Sequence, residues 1–336
     1  MKRAQKGGEA VEKSNSLYRT IREIIDNARN TIARSVNHEM VKAYWLIGRS
    51  IVKEEQRGKR RADYGMNLVN NLANRLSREY GEGFSVTNIK YMRQFYLSFQ
   101  KSHALRGQLS WTHYRIILKV ENTSARSFYE IECVKNNWST RELERQIGSF
   151  LYERLALSKN KKAVLKMASK GQEISKYSDI IKDPYVLEFT GLRGTSKLYE
   201  SNIEQSLIDN LSQFLLELGR GFTFVARQKR ITLDGDHFYI DLVFYNTILR
   251  CYVLIDLKIG RLTHQDIGQM QMYVHYYDRE VINTSDSPTV GLILCEDKKE
   301  AVVRYTLSKE NRQIFASKYK LYLPTKKELE EFCEKT

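Results

Sequence analysis

Phe238-Tyr239-Ile240-Asp241-Leu242-Val243-Phe244-Tyr245 and Cys251-Tyr252-Val253-Leu254-Ile255-Asp256-Leu257-Lys258-Ile259 are two apolar, β-branched and aromatic runs, each with one aspartate inside it. Runs of this length and composition read as buried strands. A carboxylate in such a strand is costly unless something compensates its charge. With residues 247–250 as a hairpin loop, Asn246 pairs with Cys251, Tyr245 with Tyr252, and the count brings Asp241 opposite Asp256. Opposed side chains leave the same face of a sheet ~5 Å apart. Lys258, two positions beyond Asp256, shares that face. Two carboxylates so placed repel each other until a cation sits between them. Magnesium suits them, since it takes hard oxygen ligands and leaves positions for water and phosphate, and manganese accepts the same donors. Lys258 could then hold or deprotonate an attacking water and stabilise charge developing on phosphorus. The same residues also allow a cross-strand Asp–Lys ion pair with one aspartate protonated or at the sheet rim.

The elements around this hairpin predict a mixed sheet flanked by helices. Ser201 to Gly219 is an amphipathic helix with Ile203, Leu207, Leu211, Phe214, Leu215 and Leu218 as its stripe, and Phe222 to Leu233 is strand-like. After the hairpin come a helix over 263–278, a strand over 289–295, a helix over 298–307, a strand over 319–323 and a terminal helix after Pro324. Glu204 flanks the first stripe and can lean over the sheet edge, although such a residue most often faces solvent. Gln269 and Tyr273 are four apart on one helix face, placed to contact a phosphate or orient Lys258.

The first half of the chain has a different character. Residues 1–180 hold 34 basic and 18 acidic side chains, and residues 181–336 hold 21 and 22, so the net charge of +15 lies wholly in the first half. Such asymmetry points to a polyanion-binding half joined to a half with another task. Apolar residues recur at helical spacing from Leu17 to Ile32, with arginines on the other face, and again from Asn37 to Glu55 and from Met66 to Tyr80. Between the last two lies a basic connector containing Arg60 and Arg61. After the glycine break at 81–83, Ser85 is placed as an N-cap for a helix from Val86. Ile89, Met92 and Phe95 would face a core while Thr87, Asn88, Lys90, Tyr91 and Arg93 point elsewhere. That pattern fits a helix-turn-helix reader of nucleic acid, and equally a plain helical hairpin with a solvated basic face. Trp111, Trp138 and His113 read as packing and hydrogen-bonding residues.

At 336 residues, 42% hydrophobic and 28% charged, the chain is long enough for two cored domains, and disordered and fibrous classes are excluded. The expected division is a flexible N-terminus over 1–13, a helical basic domain over 14–157, a lysine-rich connector over 158–182 and an α/β domain over 183–336. No long uncharged apolar run and no secretory segment is present, and the four cysteines are scattered, which predicts a cytoplasmic protein without a membrane span.

Taken together, the Asp in one strand, the Asp-x-Lys in the next, the helix carboxylate Glu204 and the Gln269…Tyr273 pair resemble the PD-(D/E)xK nuclease superfamily. The stretches at 44–48, 83–85, 92–96, 109–114 and 137–139 resemble the helical N-terminal domain of the bacterial YhcG family, and 238–242 with 256–260 resemble its nuclease domain. The resemblance implies an all-α DNA-binding-like domain followed by a restriction-endonuclease-like α/β domain. It further implies magnesium-dependent cleavage of DNA, with Asp241, Asp256 and Glu204 on the metal, Lys258 as the catalytic lysine, and Gln269 and Tyr273 as accessories. Asp256 stands where the pattern admits Asp or Glu, so the carboxylate arm is the shorter of the two. The expected activity is phosphodiester hydrolysis of DNA gripped by the basic half, with a homodimer supplying one site per strand. The competing expectation is a non-catalytic DNA-binding subunit of a defence or mobile-element complex that uses the nuclease fold for docking. RNA ranks below both, since no aromatic-basic platform for single strands is evident.

Overall fold

A computed structural model of the chain describes residues 2–57, 62–100, 107–157, 161–192, 199–308, 310–325 and 328. Its contacts divide the chain into two units, Met1–Arg126 with Cys133–Leu143, and Ser127–Glu132 with Glu144–Thr336.

The first unit is built on helices α1 (Lys2–Arg57), α2 (Ala62–Tyr80), α3 (Val86–Ser98) and α4 (Trp111–Ile117), while α5 (Thr123–Lys135) and α6 (Thr140–Gly148) supply residues to both units. Two separate helices and a flexible stretch over 1–13 were expected where α1 runs without interruption from Lys2. Burial on α1 begins at Val41 and continues through Trp45, Ile51 and Val52. Gly48 explains how closely α1 meets α3, because a Cβ there would run into the carbonyl oxygen of Met92. Ser85 caps α3 as expected, its side chain accepting from Asn88 N at 3.3 Å. His113 joins Ser110 Oγ at 2.7 Å to the Trp138 carbonyl at 3.1 Å, a structural role that agrees with the sequence reading.

The second unit continues through α7 (Leu151–Leu157), α8 (Lys161–Lys170), β1 (Tyr185–Val186), α9 (Glu200–Asp209), α10 (Leu211–Leu218), β2 (Phe222–Leu233), β3 (Asp236–Asn246), β4 (Cys251–Arg261), α11 (His264–Glu280), β5 (Val290–Asp297), α12 (Glu300–Thr306) and β6 (Ile314–Lys320). The sheet order is β1-β6-β5-β4-β3-β2, with β2, β3 and β4 antiparallel and β4, β5, β6 and β1 parallel. Each face carries a core. Leu242, Phe244, Val253, Ile255 and Leu257 pack under Ile203, Leu207 and Phe214, while Val243, Leu254 and Ile293 pack under Ile267, Met270 and Val274. Each such side chain, fully buried, contributes ~1.5–3 kcal/mol. Gly291 lets α11 sit close to β5, since a Cβ there would meet the Met270 side chain at 2.6 Å.

Two sequence expectations change and a third is not reached. The last strand lies at Ile314–Lys320 rather than 319–323, because it pairs with β5 from Gly291↔Ile314 onward. The helix expected after Pro324 falls outside the described residues except at Thr325 and Glu328. The expected lysine-rich connector instead contains α8 and buries Met167, Ala168, Gln172, Asp179 and Lys182.

Residues 144–157, expected with the helical domain, cluster with the sheet. Arg154 Nη1 lies 2.6 Å from Glu217 Oε1 and Arg145 Nη1 lies 3.2 Å from Glu217 Oε2, with Arg154 and Glu217 fully buried. Burial alone would raise the Glu217 carboxyl, but Arg154, Lys182 and Arg145 outweigh it and hold it at about 2.

A candidate active site where two strands part

The β3–β4 ladder runs from Asn246↔Cys251 to Leu242↔Ile255 and stops there. Beyond that point β3 stays on β2, with Ile240↔Lys229, and β4 stays on β5, with Asp256↔Ile293 and Lys258↔Cys295. Asp241 and Asp256 are therefore the first residues past the last pair. The register is the one read from the sequence, but the two carboxylates occupy the mouth of a fork rather than a paired step. Asp241 Oδ2 takes the backbone N–H of Leu257 at 2.8 Å. The side chain thus satisfies an amide that the parting of the strands would leave open.

Asp256 is 2% exposed. Its Oδ2 has the Lys258 ammonium at 2.9 Å but no hydrogen bond of acceptable geometry, so charge attraction is what holds this buried oxygen. Burial, then the charge of Asp241, push the Asp256 carboxyl up to about 7 against the pull of Lys258. Asp241 is also raised, by burial first and further by Glu204, while hydrogen bonds from Leu257 and Gln228 oppose the rise. Burial pulls the Lys258 ammonium down, but Asp256 and Glu200 more than reverse this and its net shift is upward.

The helices place the remaining expected residues. Glu204 on α9 is buried and ion-paired to Arg227, and it accepts from Gln228 Nε2 at 2.6 Å. The same Gln228 nitrogen donates to Asp241 Oδ1 at 2.9 Å, so Glu204 reaches Asp241 only through an amide bridge. Among the described residues no three carboxylate, imidazole or thiolate groups gather at metal-holding distances. Glu204, expected as a third metal ligand, is not brought into such a cluster, because Arg227 and Gln228 already occupy both its oxygens. On α11, Gln269 Nε2 donates to Tyr273 Oη at 2.5 Å, and that hydroxyl donates to the Tyr239 carbonyl at 3.0 Å. The pair braces the β3 backbone two residues before Asp241.

Sequence reasoning missed Gln228, Arg227 and Glu200. Glu200 Oε1 accepts from Ile259 N at 3.2 Å, and its Oε2 lies 3.9 Å from Lys258 Nζ. Its position one helical turn before Glu204 was the available signal. Gln228 has φ 46°, a backbone irregularity of β2 that no local pattern announces.

A hard divalent cation suits Asp241 and Asp256. They are oxygen donors whose charges disfavour each other, and one of them has a buried oxygen answered only by the Lys258 ammonium.

The helical face expected to meet nucleic acid is only partly free. Asn88 accepts from Trp111 Nε1 at 2.9 Å, Arg93 Nε is 2.8 and 2.7 Å from the two Glu55 oxygens, and Tyr91 lies under Arg115 at 5.0 Å. Thr87 and Lys90 are exposed, and Arg60 and Arg61 lie outside the described residues.

Known proteins match both units. Residues 178–334 match the profile of the YhcG PDDEXK nuclease domain, and residues 20–154 match that of the DUF1016 N-terminal domain. YhcG of Escherichia coli (strain K12) is 37% identical over 338 residues, covering 91% of this chain and 90% of its own length. Among solved structures, a repair endonuclease from Pyrococcus abyssi is 18% identical with a TM-score of 0.27, covering 39% of this chain and 50% of that one. An EndoMS–double-stranded DNA complex is 18% identical with a TM-score of 0.28, covering 40% and 50%.

Proposed function

We propose that this chain, which belongs to the YhcG family of PDDEXK nucleases, is a divalent-cation-dependent DNA endonuclease that hydrolyses phosphodiester bonds. The observation that carries the reading is the pair Asp241 and Asp256 at the fork of β3 and β4, with Lys258 Nζ 2.9 Å from the otherwise unsatisfied Asp256 Oδ2. Asp241 and Asp256 would hold the cation. When bound, it supplies Lewis-acid polarisation of a phosphoryl oxygen and acidifies water.

The role of Lys258 follows from its charge. An ammonium shifted upward stays protonated near neutrality, so Lys258 donates hydrogen bonds and positive charge to the phosphate rather than removing a proton. Gln228 fixes the orientation of Asp241, and the Gln269–Tyr273–Tyr239 chain fixes the strand that carries it. A duplex would be gripped by the basic first half, since a carboxylate site by itself repels DNA.

Plasmid nicking with magnesium or manganese tests this. Asp256→Asn and Lys258→Ala should each lose ~100-fold or more in rate while retaining duplex affinity. Unaltered nicking in both variants would overturn the assignment. One observation favours a second reading, a DNA-binding subunit without catalysis: Glu204 is ion-paired to Arg227 and accepts a hydrogen bond from Gln228, so both its oxygens are engaged. That reading requires wild-type chain that binds duplex and cuts nothing with either cation.

No helix among the described residues is long and apolar enough to cross a membrane. Cys133, Cys251 and Cys295 are buried free thiols, which supports placing the protein in the reducing cytoplasm.

A further inference from the structure

From Leu17 to Met40, every α1 side chain that is described is exposed. Leu17, Tyr18, Ile21, Ile24, Ile25, Ile32, Val36 and Met40 are among them, at 40–65% exposure. Helices in proteins draw most of their stability from packing an apolar face, and soluble monomers seldom expose an apolar patch beyond a few hundred Å². Tyr18, Ile21, Ile25, Ala28 and Ile32 are spaced three, four, three and four apart. That is the seam of a two-stranded coiled coil over 18–32, and Val41 and Trp45, off this spacing, instead face the core that α1 enters beyond it.

We infer that residues 17–40 pair, in parallel, with the same segment of a second copy of this chain. The inference is independent of the nuclease reading. Leu17, Tyr18, Ile21, Ile24, Ile25, Ile32 and Val36 lie on the seam or beside it, and together they offer on the order of the ~800 Å² per partner that a standard interface buries. β-Branched Ile25 and Ile32 fall at the seam positions that favour two parallel strands. The flanks choose the direction. Arg22 and Arg29 border one side of the seam, and Leu17, Ile24 and Thr31 border the other. Parallel pairing sets Arg22 against Leu17 and Arg29 against Ile24 of the second copy, so the arginine stems cover apolar surface. Antiparallel pairing sets Arg22 against Arg29, like charge on like. The remaining face is not that of a helix lying on anionic lipid, since Glu23 and Asp26 interrupt its basic residues and Arg22 Nε already lies 3.6 Å from Asp26.

Sedimentation of the full chain tests the pairing at about 10 μM, well within reach of a standard-size interface. The wild type should run at twice the chain mass, and Ile21→Glu/Ile25→Glu should run as a single chain with association weakened at least ~10-fold. Neither position belongs to the core, so unchanged tryptophan fluorescence marks a folded variant. In a Cys333→Ser background, Ala28→Cys should cross-link to itself under diamide, because parallel in-register pairing places the two introduced thiols face to face. A single-chain wild type would overturn the proposal, whether or not it cosediments with phosphatidylserine vesicles. So would a dimer that survives the double glutamate variant, or an Ala28→Cys dimer that diamide does not cross-link.

Discussion

Asp256 concentrates the electrostatics of the site. Its ordinary carboxyl value of 3.8 is pushed up to about 7, first by burial and then by Asp241. A carboxyl raised by folding contributes stability that is fully present below 3.8 and is lost as pH climbs through about 7. Asp256→Asn should therefore raise the melting temperature of cation-free protein at pH 8 and change it little at pH 4, as read by calorimetric scans at both values. The same proton competes with a cation, so magnesium affinity should rise with pH through about 7 and binding should release protons. Titrations in two buffers of different ionisation enthalpy measure that release.

The elements that frame this residue were legible to different degrees. Strands β3 and β4 could be read because apolar runs with one carboxylate each are rare, and period-two alternation alone places Lys258 beside Asp256. The fork was not legible, since it depends on β3 following β2 and β4 following β5 past Leu242↔Ile255. Gln269 and Tyr273 were found on one helix face, and what that face meets is the strand backbone at Tyr239, a contact no helical spacing announces. Tyr273→Phe should cost ~1–2 kcal/mol in urea unfolding by leaving the Tyr239 carbonyl without its donor. Activity should fall with it, since Asp241 sits two residues away, and the Kd for duplex should not move. On α3, Arg93→Ala should destabilise the helical unit by breaking its contact with Glu55, whereas exposed Lys90→Ala should leave stability unchanged. If Lys90 meets phosphate, its loss lowers the salt dependence of duplex binding by about one ion.

At the scale of the whole molecule, charge and domain order were readable while the packing of the middle segment was not. Arg154 and Glu217 are 63 residues apart, and no periodicity announces that they meet in full burial. Arg154→Ala leaves Glu217 charged without its principal partner and should cost ~3–5 kcal/mol in denaturant unfolding of the sheet unit. Glu217, ordinarily at 4.5 and held at about 2, contributes stability that is present above 4.5 and is lost as pH falls through about 2. Arg154→Ala should accordingly flatten the acid limb of the stability curve. Fragments beginning at residue 178, where the nuclease-domain match starts, lack Arg145 and Arg154 and should fold poorly compared with fragments beginning at residue 144.

All of the proposed chemistry rests on Asp241 and Asp256 sharing one divalent cation at the strand fork. Calorimetric titration of manganese into the full chain measures this directly. The expected result is one saturable site per chain, lost in both Asp241→Asn and Asp256→Asn and kept in Gln269→Ala. Equal binding by wild type and the two aspartate variants, or no binding by any of them, would contradict it.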